Sequence, residues 1–430
     1  METRFTLAQL ADPNLAVSEK ILRSCVHCGF CISHCPTYML LGDELDSPRG
    51  RIYLIKGMLE NDRPASAHVV KHLDRCLSCL ACMSTCPSGV NYMHLIDHAR
   101  LHVEKTYKRP VLDRLIRSFL VHILPKPKTF RALLKLVGVA RIFSRVLPRK
   151  LGRMLSLLPN QDFSAPIDGT GMVWPAEGKK QKRVVLLPGC VQQVLAPQIN
   201  AATVRMLTRL GCEVVIAKGS RCCGALANHL GHQTQALNYV RANVDALDKE
   251  INGARVDAII INASGCGTAL KDYGFMLRTD PTRADVAKKI SGLARDVSEY
   301  IDELGGFAPD YPQHLKVTYQ SACSLQHGQK VKTAPVKLLT SAGFTVAEPT
   351  EAHLCCGSAG TYNITQPEIS DQLRRRKVEN IVRTSPDLVA TGNVGCLIQL
   401  QAALDVPIVH TVELLDWVSG GPTPKALGKK

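Results

Sequence analysis

The spacing of its cysteines constrains this chain more than any other feature. Cys25-x2-Cys28-x2-Cys31-x3-Cys35-Pro36 recurs as Cys76-x2-Cys79-x2-Cys82-x3-Cys86-Pro87. Three thiolates on one tight turn reach three corners of an iron–sulfur cubane, while the fourth, set just before a proline, points elsewhere. In two-cluster ferredoxins that fourth cysteine ligates the other cluster. The strings therefore predict one 4Fe-4S cluster on Cys25, Cys28, Cys31 and Cys86, and a second on Cys76, Cys79, Cys82 and Cys35. A structural zinc site also begins with C-x2-C. Zinc needs only four thiolates, however, and explains neither the third cysteine at the same interval, nor the proline, nor the repetition. The chain reads as an electron carrier.

A chain of 430 residues is too long for one core and suggests several domains. Seventeen cysteines would suit disulfides in a secreted protein, but Met1 to Asn14 shows no basic start, apolar run or small-residue cleavage site. The expectation is a cytoplasmic chain with reduced thiols. No stretch approaches the roughly 20 apolar residues of a spanning helix, so membrane contact would be peripheral or through a partner.

The net charge of +16 lies mostly in one segment. Lys108 to Arg153 holds thirteen basic residues, among them Arg114, Arg117, Lys126, Lys128, Arg131, Lys135, Arg141, Arg145, Arg149 and Lys150, against the single acid Asp113. Apolar residues recur between them at helical intervals, as in Leu112-Leu115-Ile116-Leu120 and Leu133-Leu134-Val137-Ile142. Such basic amphipathic helices suit an anionic membrane surface or an acidic partner, or else pack their apolar stripe on their own chain. Few aromatics accompany the charges and no nucleic-acid motif does, which argues against nucleic-acid binding.

Around this segment the chain divides into four parts. Residues 1–105 read as an all-α, two-cluster ferredoxin-type domain, in which Asp46 or Ser47 caps a helix that starts at Pro48. Residues 106–180 hold the basic helices and a Pro/Gly-rich linker. Residues 181–310 and 311–430 are two copies of one pattern. In the first, Val184–Leu187 leads to Cys190, then Cys222-Cys223-Gly224, then Cys266; in the second, Lys316–Tyr319 leads to Cys323, then Cys355-Cys356-Gly357, then Cys396. The single cysteine and the pair are 32 positions apart in both copies, and the last follows the pair by 43 and 40. Strands alternate with helices that stop at Gly211 and Gly343, so each copy reads as a small α/β unit, the overall class being α+β multidomain. A pseudo-twofold between the units would create a shared crevice, with cysteines just past the strand ends, where open α/β sheets place ligands. These eight cysteines are candidates for a third metal or redox centre, and Cys212 is left as a buried thiol.

The ferredoxin strings, the run Gly42-Asp43-Glu44-Leu45-Asp46-Ser47-Pro48-Arg49-Gly50-Arg51, Leu354-Cys355-Cys356-Gly357-Ser358-Ala359-Gly360-Thr361-Tyr362 and Ala263-Ser264-Gly265-Cys266-Gly267 together resemble the iron-sulfur subunits of bacterial glycolate oxidases, over nearly the entire chain. The CCG repeats alone resemble a wider group: subunits of anaerobic glycerol-3-phosphate dehydrogenase, lactate-utilisation proteins and heterodisulfide reductase. In the last, the motif ends in C-x2-C and binds a noncubane cluster. Here Ala269 and Gln399 stand where that fifth thiolate would be, so the resemblance does not extend to heterodisulfide chemistry.

No G-x-G-x-x-G follows a strand, so no flavin or nicotinamide site is legible. Oxidation of a 2-hydroxy acid moves two electrons as hydride, which is flavin work, whereas a 4Fe-4S cluster passes one electron at a time. The resemblance supplies the missing parts: an FAD-binding catalytic subunit, a second flavin-type subunit and a membrane acceptor, with quinone the expected one, at the cytoplasmic face of the inner membrane. Glycolate is the expected substrate, D-lactate and glycerol-3-phosphate its competitors, and thiol-disulfide chemistry in the CCG crevice an alternative function. His27, His34 and Arg75, beside ligands in sequence, are candidates for tuning cluster potentials.

Overall fold

The computed structural model describes residues 1–140 and 170–428. Among these, no strand precedes Val173. Helices Pro13–Ser24, Pro48–Glu60, Ala67–Asp74 and Tyr92–Thr106 enclose a core of Leu22, Ile55, Leu73, Leu95, Ile96 and Ala99. Each starts on a side-chain cap, with Asp12, Ser47, Ser66 and Asn91 accepting from amides of the first turn. These polar residues satisfy amides that have no partner within the helix, and Pro13 and Pro48 sit where a missing N–H costs nothing. The helix ends deliver the cluster cysteines: Cys25 follows Ser24, and Cys35 precedes the helix Pro36–Leu41.

Two sheets follow. The first comprises β1 (Val173–Trp174), β2 (Lys182–Leu187), β3 (Cys212–Val215), β4 (Ala258–Ile261) and β5 (Ala294–Asp296), in the order β1-β3-β2-β4-β5. The second comprises β6 (Lys316–Tyr319), β7 (Thr345–Ala347), β8 (Leu388–Thr391) and β9 (Ile408–His410), in the order β7-β6-β8-β9. All pairings are parallel except β1 with β3. Leaving β1 aside, the two sheets share one order, with the first strand of each unit between its second and third. The unbroken apolar runs Val184–Leu187 and Ala258–Ile261 are what a parallel sheet covered on both faces requires. Gly211 and Gly343, at φ 75° and 94°, turn the chain out of the preceding helix. The edge strand β1 comes from the stretch read as linker: Val173 and Trp174 pair with Val215 and Val214.

The units share one core. Helix Pro197–Arg209 of the first packs on Thr411–Val418, the last helix of the second, and Val297–Glu303, the last of the first, packs on Ala334–Ser341 of the second. Ile199, Leu207, Tyr300, Leu338, Val412 and Leu415 are buried at this seam.

The basic segment forms helices Val111–Ile123 and Pro127–Ala140. Ile116, Leu120 and Val121 bury against Ala227, Leu230 and Ala236, and Phe130 and Leu134 against Val194, so this part of the apolar stripe packs on its own chain. Arg109 and Arg117 are buried as well, bridging Asp74, Glu104 and Asp113. Asp74 lies 35 residues before Arg109 in the sequence, so the burial of these cations is not visible from the segment alone. Val111, Leu112 and Leu115 remain exposed. Arg141, Ile142, Arg145, Arg149, Lys150 and Arg153 lie outside the described residues.

Candidate iron–sulfur and thiol sites

The two cysteine strings repeat their backbone as well as their spacing. His27 and Gly29 of the first have φ 56° and 88°; Ser78 and Leu80, at the same positions of the second, have φ 51° and 64°. Left-handed residues in such a turn aim successive amides inward, the geometry that surrounds anionic sulfur. Leu80 takes this conformation at a cost of roughly 1–2 kcal/mol, and it is buried, 4% exposed.

The strings cross. One cavity is lined by Cys25, Cys28, Cys31 and Cys86, with Cys82 at its wall. A second is lined by Cys35, Cys76, Cys79 and Cys82. Cys28 is exposed, whereas all four thiols of the second set are buried. Burial pushes the Cys31 thiol up to about 11 and drives Cys79 and Cys82 well above the ordinary range. A tetrahedral zinc site, with Zn–S near 2.3 Å, would draw four sulfurs to within about 3.8 Å of one another. Among the described residues, the one His/Cys/Asp/Glu group with ligand atoms mutually within 4.8 Å is Asp43, Asp46 and His72. The cysteine sets are spread more widely than zinc needs, and eight thiols facing two cavities fit a pair of iron–sulfur clusters.

The groups that touch these sulfurs are not the three singled out by sequence. Arg51, 1% exposed, directs Nη1 to Cys35 Sγ at 3.8 Å, donates from Nε to the His72 carbonyl at 2.7 Å and from Nη2 to Thr37 Oγ1 at 3.0 Å. Burial opposes its charge, and Cys76, Tyr92, Cys35 and Asp46 outweigh that effect. Asp46, fully buried, lies against Arg51, the His72 ring at 2.9 Å and Arg75 Nη1 at 2.6 Å. Tyr92 donates to Cys76 Sγ at 3.7 Å and the Ser78 amide to the same sulfur at 3.4 Å. Arg75 thus serves Asp46, and His34 lies against the His353 ring at 4.9 Å. His27 is at the first cavity, its ring edge-on to Tyr53. Asp46 and Arg51 stand in the run that carried the resemblance. Five of the ten residues in that run are charged, and nothing local marked these two as the buried pair.

In each α/β unit the four cysteines come together just past the strand ends. Cys190 Sγ lies 3.4 Å from Cys222 Sγ, and Cys223 interacts with Cys222 and Cys266. In the second unit Cys323 Sγ lies 3.7 Å from Cys355 Sγ, Cys356 interacts with Cys355 and Cys396, and Asn393 donates to Cys396 at 3.5 Å. The sets differ in charge. Lys377, 2% exposed, donates to the Glu351 carbonyl at 2.8 Å beside Cys355, Cys356 and Cys396. Hydrogen bonds from Cys323 and Cys356 hold Cys355 well below the ordinary thiol range, and the Lys377 charge helps. Counted from the helix carbonyl that packs on each CCG glycine, Ser370 in the second unit and Ala236 in the first, the place of Lys377 is taken in the first unit by neutral Asn243, which donates to the Cys222 carbonyl at 2.8 Å. Cys212 is buried in the core of the first sheet, separate from both sets.

The second unit also covers the second cavity. Cys355, Tyr362, Ile369 and Leu373 pack on Leu77, Cys79 and Ala81, the Tyr362 hydroxyl donates to the Arg75 carbonyl at 2.9 Å, and Ser84 meets His327 at 2.8 Å. Cys79 is close enough to Cys355 for the two to interact electrostatically.

Comparison with known proteins agrees with this layout. A family described as a 4Fe-4S dicluster domain matches residues 21–90, and one described as a cysteine-rich domain matches residues 184–271 and 317–401. Over 417 residues the chain is 40% identical to the glycolate oxidase iron-sulfur subunit of Escherichia coli K12, covering 97% of this chain and 98% of that one. The chain belongs to the glycolate oxidase iron-sulfur subunit family. A second relative in this family, named probable glycolate oxidase iron-sulfur subunit, from Bacillus subtilis, is 32% identical over 95% of this chain and 96% of its own. Lactate utilization protein A of the same organism is 29% identical over 54% of this chain and 99% of its own. A hypothetical protein from Helicobacter pylori shares the fold, with a TM-score of 0.55 at 10% identity, over 97% of this chain and 74% of that one.

Proposed function

We propose that this chain is the electron-transfer subunit of a complex that oxidises glycolate to glyoxylate, related 2-hydroxy acids such as D-lactate being handled by the same architecture. The observation that carries the reading is the convergence of eight thiols from two crossed strings on two adjoining cavities, in a chain 40% identical end to end to a glycolate oxidase iron-sulfur subunit. Cys25, Cys28, Cys31 and Cys86 would hold one 4Fe-4S cluster, and Cys76, Cys79, Cys82 and Cys35 the other. Bound there, such clusters supply one-electron carriage between a two-electron flavin and an acceptor.

The chain's own residues position and bias that chemistry. The inward amides of the two loops and the Arg51 guanidinium place positive charge around the sulfurs, and Asp46 fixes the guanidinium. Buried Lys377 does the same for Cys355, Cys356 and Cys396, which with Cys323 form the set that we assign to a third centre, rather than Cys190, Cys222, Cys223 and Cys266. The hydride acceptor is FAD on a catalytic partner, with a second flavin-type subunit alongside and quinone as membrane acceptor. Peripheral contact with the cytoplasmic face of the inner membrane would fall to helix Val111–Ile123, whose Val111, Leu112 and Leu115 are exposed beside Lys108 and Arg114. Among the described residues no helix is long and apolar enough to cross a membrane. Reciprocal first-on-last helix packing supports a pseudo-twofold between the units, and the family matches lie inside three of the four parts 1–105, 106–180, 181–310 and 311–430.

The test is anaerobic reduction of the purified complex by glycolate. Cys79→Ser should leave flavin reduction intact and abolish both the EPR signal of its cluster and turnover with a quinone. Wild-type quinone turnover in that variant, with its cluster absent, would reject the reading.

A further inference from the structure

The two cluster cavities differ in access. Cys35, Cys76, Cys79 and Cys82 are buried, and the second α/β unit lies over them. In the first cavity Cys28 is exposed, and it sits among apolar side chains that have no reason to face water. Val26 is 66% exposed, Phe30 63% and Tyr53 63%. Val26 and Phe30 line the cavity with Cys28, and Tyr53 stands edge-on to His27 of the same loop, ring centroids 6.4 Å apart. Val26 and Phe30 on the loop of this exposed thiol, with Tyr53 on the neighbouring helix against His27, expose apolar surface of the kind that marks an interaction site.

Charge decides what it meets. Arg49 is the only Lys or Arg lining this cavity, and Glu44 engages it at 2.8 Å. The Met1 ammonium, held on the Cys25 carbonyl, and Lys56, paired with Glu60 at 3.6 Å, add positive charge behind the loop, but the exposed face itself is apolar and offers an anionic lipid surface few free side-chain cations. Another exposed apolar group among the described residues, Val111, Leu112 and Leu115, lies beside the exposed basic residues Lys108 and Arg114 instead. Electron exchange requires close approach, and Cys28 is the exposed thiol of the eight. A hydride acceptor on a separate chain must therefore dock where that thiol opens to the surface.

We propose that Val26 and Phe30 on the loop of Cys28, together with Tyr53 beside that loop, form the docking face for the flavin-bearing catalytic subunit, so that electrons enter this chain at the cluster site of Cys25, Cys28, Cys31 and Cys86. This rests on the electron-transfer reading above and names the partner of that site. Phe30 and Tyr53 lie on different elements and are largely exposed, so either can be changed without opening the core.

The experiment uses the full chain, anaerobically loaded, as wild type and as Phe30→Glu, Tyr53→Glu and Leu115→Glu, the last on the other apolar patch. Iron content and EPR signals after dithionite reduction establish that the clusters are in place. The Kd for the purified flavin-bearing subunit is then measured by biolayer interferometry. Phe30→Glu and Tyr53→Glu should each weaken binding roughly tenfold or more, Tyr53→Glu, which lies outside the cavity lining, with iron and EPR signals unchanged and Phe30→Glu with full iron content, and Leu115→Glu should bind as wild type. Values within about twofold of wild type for both aromatic variants overturn the proposal, as does weakening by Leu115→Glu alone. A wild-type chain that self-associates through Phe30, shown by a dimer in sedimentation that Phe30→Glu abolishes, also overturns it, the face then belonging to a second copy. If wild type neither binds the flavin subunit nor is reduced by it with glycolate, the electron-transfer reading itself falls. Normal wild-type binding with unaffected aromatic variants removes the docking face alone.

Discussion

Replacing Arg51 with Met removes one buried positive charge and leaves a side chain of similar reach. Nη1 stands 3.8 Å from Cys35 Sγ. At an effective dielectric of about 20, a unit charge at that distance from a unit negative charge is worth about 4 kcal/mol, which is about 190 mV for one electron at about 59 mV per tenfold. An added electron spreads beyond the sulfur, so its mean distance is about double and the effect about half. The potential of the cluster on Cys76, Cys79, Cys82 and Cys35 should therefore fall by about 90–190 mV, that of the other cluster by much less. Asp46 keeps His72 and Arg75, so the variant should fold, with a loss in the lower part of the roughly 3–5 kcal/mol range for a broken buried pair. Arg51→Lys keeps the charge, loses the fork and should shift the potential by less than about a third as much. EPR-monitored potentiometry reads both. A potential within about 30 mV of wild type in Arg51→Met, with iron and acid-labile sulfide complete, would refute the reasoning.

Iron per chain should exceed the about eight atoms of two cubanes and reach about twelve, and Cys355→Ser should return it to about eight with loss of one EPR signal; about eight in both would remove the third centre. His410, 1% exposed, accepts from the Val412 amide through Nδ1 and is held neutral, burial lowering its pKa to about 4. Because the unfolded chain takes up this proton below about 6.5 and the folded chain only near 4, stability is complete above pH 6.5 and falls toward pH 4, by up to about 3 kcal/mol. His410→Asn, which can still cap, should flatten that part of a denaturation series run from pH 7 to 4.5. Gly231→Ala places a Cβ 2.6 Å from the Arg100 carbonyl oxygen at φ 83°. It should cost about 2 kcal/mol or more, loosening the first unit from helix Tyr92–Thr106 as faster hydrogen exchange there.

Local signals in the sequence were legible wherever the physics is local. Ser47 and Pro48 announced their helix, Gly211 and Gly343 their helix stops, and the apolar runs Val184–Leu187 and Ala258–Ile261 their strands. The basic segment left two readings open, lipid or partner contact and packing on its own chain, and the choice could not be read locally because Arg109 and Arg117 meet Asp74 only when separate helices pack. The stretch before Lys180 looked like linker because two residues are too short to show a strand period, yet Val173 and Trp174 complete a sheet edge. His27, His34 and Arg75 drew attention by adjacency in sequence, whereas sulfur contacts are a matter of reach through space, which Arg51 and Tyr92 have.

The cysteine spacing alone determined that two four-thiol sets could form, since the x2-x2-x3 interval sets which sulfurs share a turn and which points away. It also determined that a second module repeats, since equal intervals return equivalent cysteines to equivalent strand ends. Only the tertiary structure decided that the two modules are unequal. Packing buries Cys79 against the second unit and leaves Cys28 open, and it sets Lys377 beside one thiol set and neutral Asn243 beside the other. Burial and charge at a sulfur depend on residues hundreds of positions away, and no local pattern carries that information.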